Sequence, residues 1–169
     1  EDARPAYRAL SDLMAEARQK YSAQPEEKVR ANLLEPVFKI LGWTWESGKH
    51  SKDNSLDSDY WLKTAAGGRV PCLAYSWDRS LDSIDEKRDT NTPTENPAQT
   101  VVSILEKMDA ESSGWAVVTN GKTWRLYSAR AHSRATNYYE IDLEETLASP
   151  DLAEAFRYFW LFFRANAFT

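Results

Sequence analysis

Between Ser58 and Asp82 the chain reads Ser-Asp-Tyr-Trp-Leu-Lys-Thr-Ala-Ala-Gly-Gly-Arg-Val-Pro-Cys-Leu-Ala-Tyr-Ser-Trp-Asp-Arg-Ser-Leu-Asp. Its residue with the most chemistry to offer is Asp59. A carboxylate at the start of a strand can hold a divalent cation, provided a second carboxylate joins it and a lysine steadies the attacking water or the developing charge. Farther along, Leu73 and Tyr75 stand two apart and share a strand face, which they make apolar and aromatic. Cys72 lies inside the same apolar run and reads as a small core residue. His50 and His132 have no cysteine or carboxylate at ligand spacing, so each reads as a loop residue rather than a zinc ligand. There is no glycine-rich phosphate loop. Arg69, Arg79, Lys87, Arg88, Lys122 and Arg125 are the cations that could gather into a patch for phosphates. For Arg79 and Arg125 a structural pairing with Asp78, Asp82 or Glu140 competes with that role.

Asp59 has to be positioned by a hairpin. Asp59–Thr64 and Val70–Trp77 are two short runs rich in Tyr, Trp, Val and Leu, separated by Ala65-Ala66-Gly67-Gly68. Ahead of them Trp43–Glu46 alternates as a first strand, and apolar residues at steps of three and four predict a helix over Pro5–Tyr21. A second helix is predicted from Pro25 to the stop at Gly42, bent or split by Pro36. Residues 83–95 are charged and turn-prone, a long loop. Asn96 and Pro97 then start a crossover helix whose apolar face is Val101, Val102, Ile104, Leu105 and Met108. Trp115–Thr119, Asn120-Gly121 and Lys122–Tyr127 predict a strand, a type I′ turn and a strand. A last helix, heavily aromatic, is expected to start at Ser149-Pro150-Asp151; it carries more apolar surface than one face can bury, so part of it meets either a second internal layer or a neighbour.

Bulk properties narrow the field. With 169 residues and 42% hydrophobic content the chain is long enough for one domain with a real core. A net charge of -5 argues against a protein whose main task is coating free duplex DNA. One cysteine precludes an internal disulfide, no stretch approaches the roughly 20 apolar residues of a membrane span, and Glu1-Asp2-Ala3-Arg4 lacks a signal-peptide core. The expected compartment is the cytoplasm, with no membrane partner.

Several segments carry a family resemblance that spans about residues 26–163, Tyr138–Leu143 and Phe156–Phe163 among them. Leu33-Leu34-Glu35-Pro36-Val37-Phe38-Lys39-Ile40-Leu41-Gly42-Trp43, the run Trp77-Asp78-Arg79-Ser80-Leu81-Asp82, and the phrase Trp-x-x-Val-Thr-Asn-Gly-x-x-Trp-Arg-Leu-Tyr at residues 115–127 are similar to the N-terminal nuclease-like domain of type IIG (Eco57I-like) restriction-modification proteins and of type I restriction subunits. That domain belongs to the PD-(D/E)xK superfamily. The resemblance implies an α/β fold of restriction-endonuclease type, a mixed sheet flanked by helices, with residues 1–169 as one domain at the front of a longer protein. It places Asp59 at the family's metal-binding aspartate and Glu35 at the helical glutamate that points towards the site. Leu73 and Tyr75 stand where the family has its Glu and Lys, so Asp59 and Glu35 are the vestiges of a degenerate active site, with no metal and no cofactor expected.

Three roles follow from the resemblance. The first is a catalytically inactive module of a restriction-modification or phage-defence protein that contacts DNA weakly, through Arg79, Lys87 and Arg88, or docks to methyltransferase or helicase parts. The second is an active Mg²⁺-dependent endonuclease whose chemistry has migrated, with Glu35, Asp57 or Glu46 as second carboxylate and Lys63 as the lysine. The third is a pure protein-interaction domain. The family's Asn-Pro-Pro-aromatic methylase motif is absent, since Glu95-Asn96-Pro97-Ala98 lacks the second proline and the aromatic residue.

Overall fold

Helix α1 (Arg4–Lys20) forms over the predicted stretch and buries Ala6, Leu10, Met14 and Ala17, spaced by three and four. The next helical stretch has to accommodate Pro36, which has no N–H to contribute and whose ring crowds the carbonyl four residues back. In the computed structural model, which describes residues 2–20, 24–48, 58–77, 79–86, 95–108, 113–148 and 154–168, the chain meets this by widening one turn. It runs as α2 (Glu26–Val29), a π-helical turn (Arg30–Leu34) and α3 (Glu35–Ile40), with Pro36 in the first turn of α3. The Glu35 N–H closes the wide turn on the Arg30 carbonyl. Gly42 ends the segment with φ +81. Its N–H bonds the Lys39 carbonyl and the Trp43 N–H reaches that of Phe38, the bond pair of a Schellman stop.

Among the described residues, six strands form one mixed sheet in sequence order: β1 (Thr44–Ser47), β2 (Tyr60–Lys63), β3 (Arg69–Ala74), β4 (Trp115–Thr119), β5 (Thr123–Ser128) and β6 (Tyr138–Asp142). All neighbours are antiparallel except β3 and β4, which run parallel with Leu73 opposite Val118. The connection between that pair contains α4 (Pro97–Lys107). Asn96 caps it, and Gln99 returns the favour by accepting the Asn96 N–H, a capping box. β3 ends at Ala74, short of the predicted Trp77. A short helix the periodicity does not mark, α5 (Leu143–Ala148), follows β6, and α6 (Glu154–Phe163) closes the fold before a 3₁₀ turn at Ala165–Ala167. The expected helix start at Ser149-Pro150-Asp151 lies outside the described residues. Among the described residues no helix is long and apolar enough to cross a membrane.

The sheet divides the interior in two. On one face α1, α3 and α6 pack a large aromatic core in which Trp124 meets Phe38, Phe159 and Phe163 edge-on. On the other, α4 covers Leu73, Ala116, Val118 and Tyr127 together with Leu81. The chain is thus an α/β protein with a mixed sheet flanked by helices.

The β4–β5 connection departs from the predicted type I′ turn. Of its residues Gly121 alone has positive φ, +87, and Asn120 pairs with Thr123, so Gly121 and Lys122 are the central pair, the pattern of a type II′ turn. The cause is the side chain of Asn120. Its Oδ1 accepts the N–H groups of Lys122 and Thr123, and its Nδ2 donates to the Arg79 carbonyl. Held this way, Asn120 acts as an anchor, and the left-handed position moves on to Gly121, where a Cβ would also stand 2.7 Å from Leu33.

Candidate functional site

Asp59 immediately precedes β2, with both carboxylate oxygens engaged. Oδ2 accepts the Ala74 N–H at 2.8 Å, and Oδ1 takes Nη2 of Arg30 at 2.8 Å. The same Nη2 donates to the Ala74 carbonyl at 2.9 Å. One guanidinium nitrogen therefore ties the start of β2 to the end of β3, from the face of the sheet that carries the helices α1 to α3. Beside it, Ser58 Oγ accepts the Cys72 N–H at 3.1 Å and lies 2.8 Å from the Tyr60 carbonyl. The Tyr60 hydroxyl donates to Glu35 Oε1 at 3.1 Å. Burial, and then the charge and hydrogen bond of Glu35, hold the Tyr60 hydroxyl well above its usual pKa, so it stays a donor. Burial and then the Asp59 charge push the Cys72 thiol up as well, away from any nucleophilic form.

Arg30 and Glu35 reach this corner because of the π turn. Residues five apart diverge by about 140° around an α-helix; the wider turn, closed by the bond from residue 35 back to residue 30, brings them towards one side. Sequence reasoning singles out Glu35 and misses Arg30. The available signal was Pro36, since a proline inside a helix asks for an irregular turn just before it.

Leu73 and Tyr75 do not join this cluster. Alternation along β3 turns Cys72 and Ala74 into the large core and Leu73 and Tyr75 to the α4 side, where Leu73 is buried and Tyr75 packs at the edge. The four positions that the resemblance assembles into one site are divided between two faces. Of the relocation candidates, Glu46 and Lys63 lie elsewhere on the sheet. Glu46 and Lys63 form a cross-strand ion pair of 2.5 Å on β1 and β2, and Lys63 lowers the Glu46 carboxyl pKa by hydrogen bond and charge. Lys63 is four residues along the strand from Asp59, about 13 Å. Asp57 lies outside the described residues. Among the described residues no three of His, Cys, Asp and Glu gather as a metal site.

Among the described residues, the cations considered for DNA contact, Arg69, Arg79, Lys122 and Arg125, each have partners within the fold. Arg79 is buried, donating through Nη1 to the carbonyls of Ser80 and Ser83, with its guanidinium over the Tyr75 ring. A guanidinium so enclosed does not reach a phosphate. Arg125 is 4% exposed and pairs with Asp82 at 2.8 Å and Glu140 at 2.5 Å, as its structural reading required; it also reaches the Leu81 carbonyl and stacks on Tyr138. Burial works against its charge, and Glu140 and Asp82 outweigh burial and raise its pKa. Lys122 pairs with Glu144, and Arg69 lies over Trp61. Lys87, Arg88, Asp78 and His50 lie outside the described residues. No family model, no curated protein and no solved structure matches this chain.

Proposed function

We propose that this chain is the nuclease-like domain of a cytoplasmic prokaryotic restriction-modification or phage-defence protein, that it does not cut DNA, and that it docks onto the methyltransferase or helicase parts of the same system. The motifs at residues 33–43, 77–82 and 115–127 support the family, and the order of helix, three-strand meander, crossover helix and second meander agrees with it. The observation that carries the inactive reading is the Arg30–Asp59 pair. The carboxylate that would hold a cation is already neutralised by a guanidinium and fixed by a backbone N–H.

Docking is favoured over DNA contact by what the surface offers. Arg79 and Arg125 are internal, whereas α6 leaves Tyr158, Leu161 and Phe162 exposed beside Tyr139. Aromatic residues of this kind are enriched where proteins meet. Calorimetric titration with Mn²⁺ and incubation of plasmid with Mg²⁺ test the inactive reading. The expected results are no micromolar site and no cutting. A micromolar site lost in Asp59→Ala, or nicking that depended on Glu35 or Lys63, would overturn it. Gel shifts complete the test: binding is expected to be weak and to fade as salt rises, and nanomolar binding at physiological salt contradicts the preference for docking.

A further inference from the structure

We propose that the free edge of β6, with the aromatic row that α6 sets beside it, receives an extended segment of a partner protein as an added strand. That segment carries apolar side chains on its α6 side and lysine or arginine on the other. The inference deepens the docking reading above and rests on it in one respect, that the partner is a protein rather than DNA.

One bond just past the strand fixes which backbone groups are free. The Leu143 N–H donates to the Lys122 carbonyl, and in the β5–β6 register Ile141 opposite Trp124 and Tyr139 opposite Leu126 fall in step with that pair. Those residues exchange their bonds with β5. The N–H and C=O groups of Tyr138 and Glu140 therefore point off the sheet, where among the described residues β6 has no further neighbour. The edge lacks the usual defences: Tyr-Tyr-Glu-Ile-Asp has no proline and no lysine, and its pairing with β5 runs without a bulge. Beside it lies apolar surface that a strand would cover. Phe163 of α6 reaches Trp124 on β5, whereas Phe162 packs on Tyr139 of β6 at 4.8 Å, so α6 overhangs the edge, with Phe162 on its outer side and stacked on Tyr158. Both Phe162 and Tyr158 are exposed. An added strand stands about 4.8 Å outside β6, and its alternate side chains on that face extend the row of Tyr139, Phe162 and Tyr158. The other face of the edge is acidic. Glu140 and Asp142 share it with Tyr138, and Arg125 beneath them already answers both Glu140 and Asp82. Opposite charges across a strand pair stabilise it, which selects lysine or arginine there. A second copy fits less well, because the antiparallel register that sets Tyr138 opposite Asp142 of the other copy also sets Glu140 against Glu140.

The probes are short fluorescein-labelled peptides added to the whole chain: one alternating valine and lysine, one alternating valine and glutamate, and the valine–lysine peptide with its backbone amides N-methylated. Binding is read by fluorescence anisotropy and its place by amide hydrogen exchange. The valine–lysine peptide is expected to bind at least about tenfold more tightly than the valine–glutamate peptide, and N-methylation to abolish binding. Exchange should slow at Tyr138 and Glu140 and stay as it was on the opposite edge strand, β1. Phe162→Ser, at an exposed position, should weaken the valine–lysine peptide about fivefold. Glu140→Gln, which keeps an acceptor for Arg125, should narrow the preference for lysine over glutamate. Equal affinity for all three peptides, no binding at millimolar peptide, or exchange slowed away from β6 overturns the inference. So does a chain that dimerises in sedimentation with Tyr138 and Glu140 already protected, since the edge then belongs to a second copy. Failure of the peptides while DNA binding stays weak sinks strand addition alone, whereas nanomolar DNA binding at physiological salt sinks the docking reading.

Discussion

The two faces of the sheet each hold an arginine that reaches across elements, and the two are held differently. Arg125, on the α4 face, is 4% exposed, bracketed by Asp82 and Glu140, covered by Tyr138 and bonded to the Leu81 carbonyl. Arg30, approaching from the opposite face, pairs with one carboxylate and one carbonyl at a rim that water reaches. Arg125 fastens the segment around Leu81 and Asp82 to β5, and both its carboxylates lean out to solvent, so the buried partner is the cation. At Arg30 both partners are half-buried. A buried charge bracketed on several sides is costly to strip of its partners, whereas a half-buried pair at a sheet end is screened by water.

The contrast can be broken most forcefully at Leu73 and Tyr75. Introducing the family's pair, Leu73→Glu with Tyr75→Lys, sets charges under α4 rather than beside Asp59, and is expected to cost about 3–5 kcal/mol with no rescue by Mg²⁺. Thermal melts with and without Mg²⁺ read this directly; an unchanged melting point would mean that the α4 face is as open as the rim at Arg30. Next in size is Arg125→Met. It strips the Leu81 carbonyl of its donor, but Asp82 and Glu140 can turn to water, so a loss of about 2–3 kcal/mol in urea unfolding is expected. Arg30→Gln should cost less, about 1 kcal/mol, because solvent screens the pair and the amide retains a hydrogen-bond donor. If Arg30→Gln proved the costlier of the two, the distinction between an enclosed and a water-screened arginine would fail.

The smallest effect belongs to Lys63→Ala on the open outer strands, where only a slight fall in melting temperature is expected at pH 7. Its signature is a titration. Glu46 has a folded pKa below its unfolded value, so its contribution is present above about pH 4.3 and is lost as the pH falls through the folded pKa. In Lys63→Ala the Glu46 carboxyl should titrate at its ordinary value by NMR, and a Glu46 that stayed depressed would point to a partner other than Lys63.

What could be read from the chain beforehand was the locally encoded part. Asn96 and Pro97 announce α4, Gly42 announces its stop, and the alternating runs around Gly67-Gly68 and Asn120-Gly121 announce two hairpins, because caps and turns are settled within a few residues. The turn at Asn120 was misread for a non-local reason: its side chain answers to Arg79, far away in sequence. Arg30 was overlooked for a similar reason. Nothing in Lys28-Val29-Arg30-Ala31 distinguishes it from a solvated helical arginine, and its partner Asp59 is brought near only when β2 docks. The resemblance puts Asp59, Glu35, Leu73 and Tyr75 in one site, whereas Leu73 and Tyr75 pack on the α4 face, away from Asp59 and Glu35.

The sheet is two antiparallel meanders, β1 to β3 and β4 to β6, joined along a single parallel seam. Each meander is made of contacts between neighbours in sequence and so closes quickly, whereas the seam requires Cys72, Leu73 and Ala74 to find Val117, Val118 and Thr119 across the whole intervening crossover. The slow search in folding lies there. Until it succeeds, β3 and β4 are both open edges with unpaired backbone groups and apolar side chains, the arrangement most able to pair with another molecule. During refolding, therefore, the hazard of aggregation is concentrated at the centre of the finished sheet, in strands that the native molecule exposes least.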